Sequence, residues 1–156
     1  MKQTLYMKTA LGPIKISEVD GFITELLFVK DTHENPGEQK TPLLEKAEKQ
    51  IKEYLDGTRR RFDLPLEAKG TEFQKDVWEA LSKIPYGETR SYKQVAEMIG
   101  RPDASRAVGM ANGKNPVLIL TPCHRVVGSD GRLTGYAAGL EVKEQLLELE
   151  GTHAGR

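Results

Sequence analysis

The hydrophobic period of this chain changes once, at Lys69-Gly70, and that change constrains its fold more than any other feature. Before it, Pro13-Ile14-Lys15-Ile16-Ser17-Glu18-Val19 alternates apolar and polar residues, and Asp20-Gly21 is a two-residue hairpin signal. Phe22–Val29 is the returning strand, so Leu5–Lys30 reads as a β-meander with an earlier turn at Gly12-Pro13. After it, the spacing is helical. Thr71-Glu72-Phe73-Gln74 fits a capping box, and Phe73, Val77, Trp78 and Leu81 form one apolar stripe. The pattern predicts an α+β protein: a small N-terminal sheet-and-helix domain over residues 1–69, then a mainly helical domain over residues 70–156.

Within the first half, Asp31–Lys40 with Asn35-Pro36-Gly37 reads as a loop. Thr41-Pro42 opens a helix, with threonine at the cap and proline in the first turn. Leu44, Ala47, Ile51 and Leu55 give that helix its stripe, and Asp56-Gly57 ends it. Thr58–Lys69 reads as a short strand and a linker. Its Arg59-Arg60-Arg61 is expected to be a solvated turn, because Asp56 and Asp63 flank it. In the second half, Ser91-Tyr92-Lys93-Gln94 is another capping box. It opens a short helix over Ser91–Ile99, and Gly100 turns the chain into a second over Asp103–Asn112. A last helix is expected from about Leu140 to Glu150.

The chain has one cysteine, Cys123, which excludes an internal disulfide and any cysteine-rich zinc site. It sits in Thr121-Pro122-Cys123-His124-Arg125-Val126, after the apolar run Val117–Leu120. A lone cysteine suits a core as a small apolar side chain. The adjacent histidine and arginine, however, are groups that lower a thiol pKa and make a nucleophile. Glu150 is a carboxylate able to orient His124, which in turn would act on Cys123. His33 and His153 fall in segments expected to be flexible and are weaker candidates.

No apolar stretch approaches the roughly 20 residues of a membrane span, and the N-terminal residues lack a signal-peptide core, so a reduced, cytoplasmic protein without membrane contact is expected. Net charge is zero. Over Arg101–Arg132, however, Arg101, Arg106, Lys114, Arg125 and Arg132 outnumber Asp103 and Asp130. The two short helices match a helix-turn-helix, although structural helical hairpins share that pattern. The second helix presents Ser105, Arg106 and Asn112 among Ala104, Ala107, Ala111 and Gly109. So smooth a surface suits approach to a backbone or minor groove better than sequence readout. A nucleophile beside such a helix implies chemistry on an extruded base, with Arg106 placed to fill the gap.

Pro122-Cys123-His124-Arg125-Val126 resembles the active-site signature of the O6-methylguanine-DNA methyltransferases. The resemblance continues in order through Thr71–Leu81, Ile84-Pro85-Tyr86-Gly87, Ser91-Tyr92, Arg106-Ala107-Val108-Gly109, Asn115-Pro116, Gly135-Tyr136 and Lys143–Glu150. It implies a ribonuclease H-like N-terminal domain and a helix-turn-helix C-terminal domain. It also implies a single-turnover DNA repair reaction in which Cys123 accepts the alkyl group from guanine O6 as a thioether. By the same resemblance His124 is the base through a water, Glu150 orients it and Asn115 braces the turn. Tyr92 would rotate the nucleotide's phosphate and donate to the departing guanine, and Arg106 would replace the flipped base. Ser91, Ala104, Ser105 and Asn112 would complete the DNA-facing set, and Val126, Tyr136 and Ala137 would line the guanine pocket. The implied partner is double-stranded DNA carrying O6-alkylguanine, with O4-alkylthymine open, taken by a monomer. No cofactor is expected. No metal is expected either, since members that bind zinc in the N-terminal domain use cysteines this chain lacks there.

Overall fold

The computed structural model describes residues 1–31 and 40–154, and these divide into two compact units, Met1–Ala68 and Lys69–Arg156. The loop expected at Asp31–Lys40, with His33, falls outside the described residues except at its ends. No helix among the described residues is long and apolar enough to cross a membrane.

In the first unit, β1 (Lys2–Met7), β2 (Ile14–Val19) and β3 (Phe22–Phe28) form an antiparallel sheet in that order. Asp20 and Gly21 both take positive φ, 51° and 86°, which is what a two-residue turn joining right-twisted strands requires. Helix α1 (Pro42–Leu55) starts where Thr41 accepts from the Leu44 N–H at 3.1 Å. Leu44, Ala47, Ile51 and Tyr54 from α1 are buried, as are Leu5, Ile14, Ile16, Ile23 and Leu26 from the strands. Residues 58–69 depart from expectation, because Leu66 makes only an isolated parallel bridge to Ile23. Pro65 has no N–H to extend a ladder. Its carbonyl accepts from Ile23 at 2.8 Å, while the buried Gln50 holds the Asp63 backbone. Arg59 pairs with Glu53 at 2.9 Å, not with either flanking aspartate.

In the second unit, α2 (Glu72–Leu81) and α3 (Tyr92–Met98) both begin with complete capping boxes, from Thr71–Gln74 and Ser91–Gln94. Trp78 of α2 donates its indole N–H to the Ala111 carbonyl at 2.9 Å, tying α2 to α4 (Ser105–Gly113). Gly70 lies so close to the Trp78 ring that a Cβ there would stand 2.6 Å from it. Helix α4 begins two residues later than expected, from an Ala104 cap that makes no side-chain hydrogen bond. Gly100, at φ 75°, makes the turn between α3 and α4. Two short strands, β4 (Arg90–Ser91) and β5 (Val126–Val127), pair in parallel. Helix α5 runs Leu140–Ala154, longer than expected, so His153 is helical and not in a flexible tail.

Candidate active site

Cys123, His124 and Arg125 form a single 3-10 turn between the apolar run and β5. The run Val117–Leu120 is buried but is not a strand; it folds into tight turns. Thr121 N–H bonds back to the Val117 carbonyl at 3.0 Å and Leu120 N–H to that of Leu118 at 2.7 Å. Ile119 consequently takes φ 70°, a left-handed conformation costly for a β-branched residue. Asn115 holds this turn, donating to the Thr121 carbonyl at 2.9 Å and accepting from the Val117 N–H at 3.0 Å.

Helix α5 presents Lys143, Leu146 and Glu150 on one buried stripe, at i, i+3 and i+7. Glu150 accepts from His124 Nε2 at 2.7 Å, from Arg125 Nε at 2.8 Å and Nη2 at 2.9 Å, and from the Gly87 N–H at 3.3 Å. Burial alone would raise its carboxyl pKa. The hydrogen bonds from His124 and Arg125 outweigh burial and hold it well below the usual carboxylate range. An ionised carboxylate only accepts, so His124 Nε2 carries the proton and Nδ1 is left with its lone pair. That Nδ1 is buried with no hydrogen-bond partner among the described residues. Burial also pushes the imidazole pKa down, against the pull of Glu150, so the ring is neutral and basic at Nδ1.

The thiol is not pre-ionised, contrary to the expectation from its flanking cations. Burial pushes Cys123 up to about 11, while the Asn115 amide, the Lys143 charge and the Tyr136 hydroxyl favour the thiolate. Arg125 is turned away to Glu150 and to the Ile84 carbonyl at 2.6 Å, with its guanidinium 5.8 Å from the Tyr86 ring centre. The cation that acts on the thiol is Lys143, which the sequence reading missed. Burial lowers its ammonium pKa to about 8, and Cys123 partly offsets this. The Tyr136 phenol is pushed above its ordinary value by burial and by Cys123, so it remains an O–H donor.

The remaining expected residues divide by exposure. Arg106 and Ala137 are exposed, and Ser91, Tyr92, Ala104, Ser105 and Tyr136 are half-buried. Tyr92 meets Thr134, hydroxyl to hydroxyl, at 2.7 Å. The Ser91 hydroxyl is occupied as a helix cap, 3.0 Å from the Gln94 N–H. Val126 is buried in β5. Asn112 corrects the expectation that it faces DNA. It is buried with Val108 and Ala111 on the inward face of α4, and donates to the Cys123 carbonyl at 3.3 Å.

The two buried titrating groups make the fold acid-sensitive. The His124 pKa is lowered from 6.5 on folding, so below pH 6.5 the unfolded chain takes up the proton first and stability falls with pH. The Glu150 pKa is lowered from 4.5, so its contribution is complete above pH 4.5 and is lost as pH falls below it. Urea midpoints should therefore drop from about pH 6.5 downward and more steeply below about 4.5. A midpoint unchanged between pH 7.5 and 4 contradicts this.

Comparison with known proteins covers both units. Residues 72–152 match the family described as 6-O-methylguanine DNA methyltransferase, DNA binding domain, and residues 1–68 match its ribonuclease-like domain. The chain is 47% identical over 148 residues to a methylated-DNA–protein-cysteine methyltransferase of Methanosarcina barkeri, covering 92% of this chain and 94% of that one. The constitutive counterpart of Bacillus subtilis is 46% identical over 151 residues, 92% of each chain. The crystal structure of the Mycobacterium tuberculosis O6-methylguanine methyltransferase superposes with a TM-score of 0.87 at 42% identity, covering 98% and 94%. A structure of that organism's protein in complex with DNA also gives 0.87, at 41% identity over 97% and 94%. With matches to both domains and across nearly its whole length, this chain belongs to the 6-O-methylguanine DNA methyltransferase family, the methylated-DNA–protein-cysteine methyltransferases.

Proposed function

We propose that this protein binds double-stranded DNA as a monomer and transfers the alkyl group of O6-alkylguanine, chiefly methyl, to Cys123 in one irreversible turnover. The observation that carries this reading is the 2.7 Å contact between Glu150 and His124, on the turn that bears Cys123. It leaves a neutral imidazole with a free, buried lone pair beside a protonated thiol. His124 Nδ1 takes the thiol proton through a water. The sulfur attacks the alkyl carbon, a C–S bond forms, the C–O6 bond breaks and its electron pair passes to the guanine. Uptake of a proton, balancing the one lost by the thiol, lets guanine leave neutral, and Tyr92 donates a hydrogen bond to it. Lys143 and Tyr136 stabilise negative charge on sulfur while the proton is away. The thioether product has no hydrolytic way back, so each molecule acts once.

The DNA-binding part of the reading is supported by α4, whose outward face carries exposed Arg106 and Ala107 beside half-buried Gly109. Such a surface can approach a minor groove closely, and a flipped base leaves a gap that Arg106 can occupy. No metal or cofactor enters any step. The test is incubation with a duplex carrying one O6-methylguanine, followed by mass mapping of the protein. The expected result is one methyl group per molecule, on the peptide containing Cys123. Repeated turnover, methyl on another residue, or no transfer overturns the proposal.

A further inference from the structure

Thr134 joins three parts of the C-terminal unit that the reaction scheme leaves separate. Its hydroxyl lies 2.7 Å from that of Tyr92. Its carbonyl accepts from the Lys143 ammonium at 2.8 Å, and the next carbonyl, Gly135, accepts from the same group at 3.4 Å. Tyr92 opens α3, and its ring lies against α4 at Gly109, where a Cβ would stand 3.7 Å from two ring carbons. Lys143 is fully buried, and the hydrogen bonds found for its ammonium go to these backbone carbonyls. A buried ammonium is costly unless such bonds are made, so Lys143 and the Thr134-Gly135 backbone fix one another. Tyr136, two residues further on, has a buried hydroxyl with no hydrogen-bond partner among the described residues, and Cys123 helps to raise its pKa.

The geometry points to Thr134 as a positioning residue, a latch through which Tyr92 on the helix-turn-helix and the buried Lys143 of α5 hold the Thr134–Tyr136 segment. The inference rests on the alkyl-transfer reading above and deepens it. A tyrosine hydroxyl has one hydrogen to donate and lone pairs to accept with. When Tyr92 donates to the departing guanine, the same oxygen accepts from Thr134. The two hydrogen bonds then polarise one another and strengthen together. DNA engagement at α3 is thereby felt at the segment that carries Tyr136, with no movement of the helices required.

Thr134→Val removes the hydroxyl, nearly preserves the side chain's shape and leaves the carbonyl for Lys143. Thr134→Ser restores the hydroxyl. On a saturating duplex carrying one O6-methylguanine, Thr134→Val should lower the single-turnover transfer rate about threefold to tenfold, the worth of one hydrogen bond in a transition state. Its affinity for unmodified duplex and its melting temperature should match the wild type, and Thr134→Ser should recover most of the rate. An unchanged rate with valine overturns the latch. So does a loss of affinity with no loss of rate at saturation, which would make Thr134 a DNA contact only. A serine variant as slow as valine, or a rate loss that tracks a lower melting temperature, assigns Thr134 a packing role and also overturns it. No transfer by the wild type overturns the reading of the site, and the latch with it, and is distinguished from these outcomes by the wild-type control.

Discussion

Glu150→Gln should destabilise the protein by about 3 kcal/mol or more and slow alkyl transfer by at least about a hundredfold. The carboxylate is 1% exposed and is the acceptor for Arg125, His124 and the Gly87 N–H. Glutamine keeps the shape but offers one acceptor oxygen, and its NH2 must face a donor from Arg125 or His124. The Arg125 guanidinium then stays buried without a counter-charge, the costly half of breaking an interior ion pair. Set against a typical domain stability of about 5–15 kcal/mol, that is a large fraction. The chemical loss is separate, because an imidazole no longer held at Nε2 presents neither tautomer nor lone pair reliably. Adding Arg125→Met should restore part of the stability and none of the transfer. Urea titration and single-turnover transfer, run on the single and double variants, check both parts. A Glu150→Gln protein with the wild-type midpoint and rate would show that the carboxylate's charge is not needed.

Cys123→Ser should abolish transfer completely while the protein still folds and binds duplex DNA. The side chain is buried and one atom is exchanged for a smaller one, so the packing cost is small. The turn that carries residue 123 stays braced by Asn115 at the Thr121 carbonyl. An alcohol, however, is far harder to ionise than a thiol already raised to about 11, and it is the weaker nucleophile. The Cys123→Ser variant should show no added mass after prolonged incubation with O6-methylguanine duplex, and its melting curve should stay close to the wild type. Methyl incorporation by this variant would move the acceptor elsewhere.

What was legible in the sequence was local. The Asp20-Gly21 turn, the Thr41, Thr71 and Ser91 caps and the stripe of α2 each depend on residues within a few positions, and each forms as the pattern demands. The chemistry of the residues suggests that Glu150 orients His124, but across 26 residues only the family resemblance implies that the two meet. The fates of the cations were not legible. Arg125 stands next to the thiol in sequence and Lys143 does not, yet only the tertiary fold decides that the first pairs with Glu150 and that the charge of the second acts on the thiol. Asn112 turns inward because one helical position separates outward from inward on α4. Val117–Leu120 carries no period at all, so nothing in it announces turns with Ile119 left-handed. Lys143, Leu146 and Glu150 share one face of α5 by their spacing alone, which is a pattern the sequence displays.

The two-residue ladder of β4 against β5 sets what variation in this protein can change independently. Arg90-Ser91 leads directly into α3, and Val126-Val127 follows directly from the turn of Cys123. Backbone bonds, indifferent to side-chain identity, therefore fix how far the start of the helix-turn-helix stands from Cys123. Substitutions on the outward face of α4 leave that ladder, and so the place of the sulfur, unchanged. A lineage can therefore vary that face while inheriting the spacing between α3 and the thiol intact.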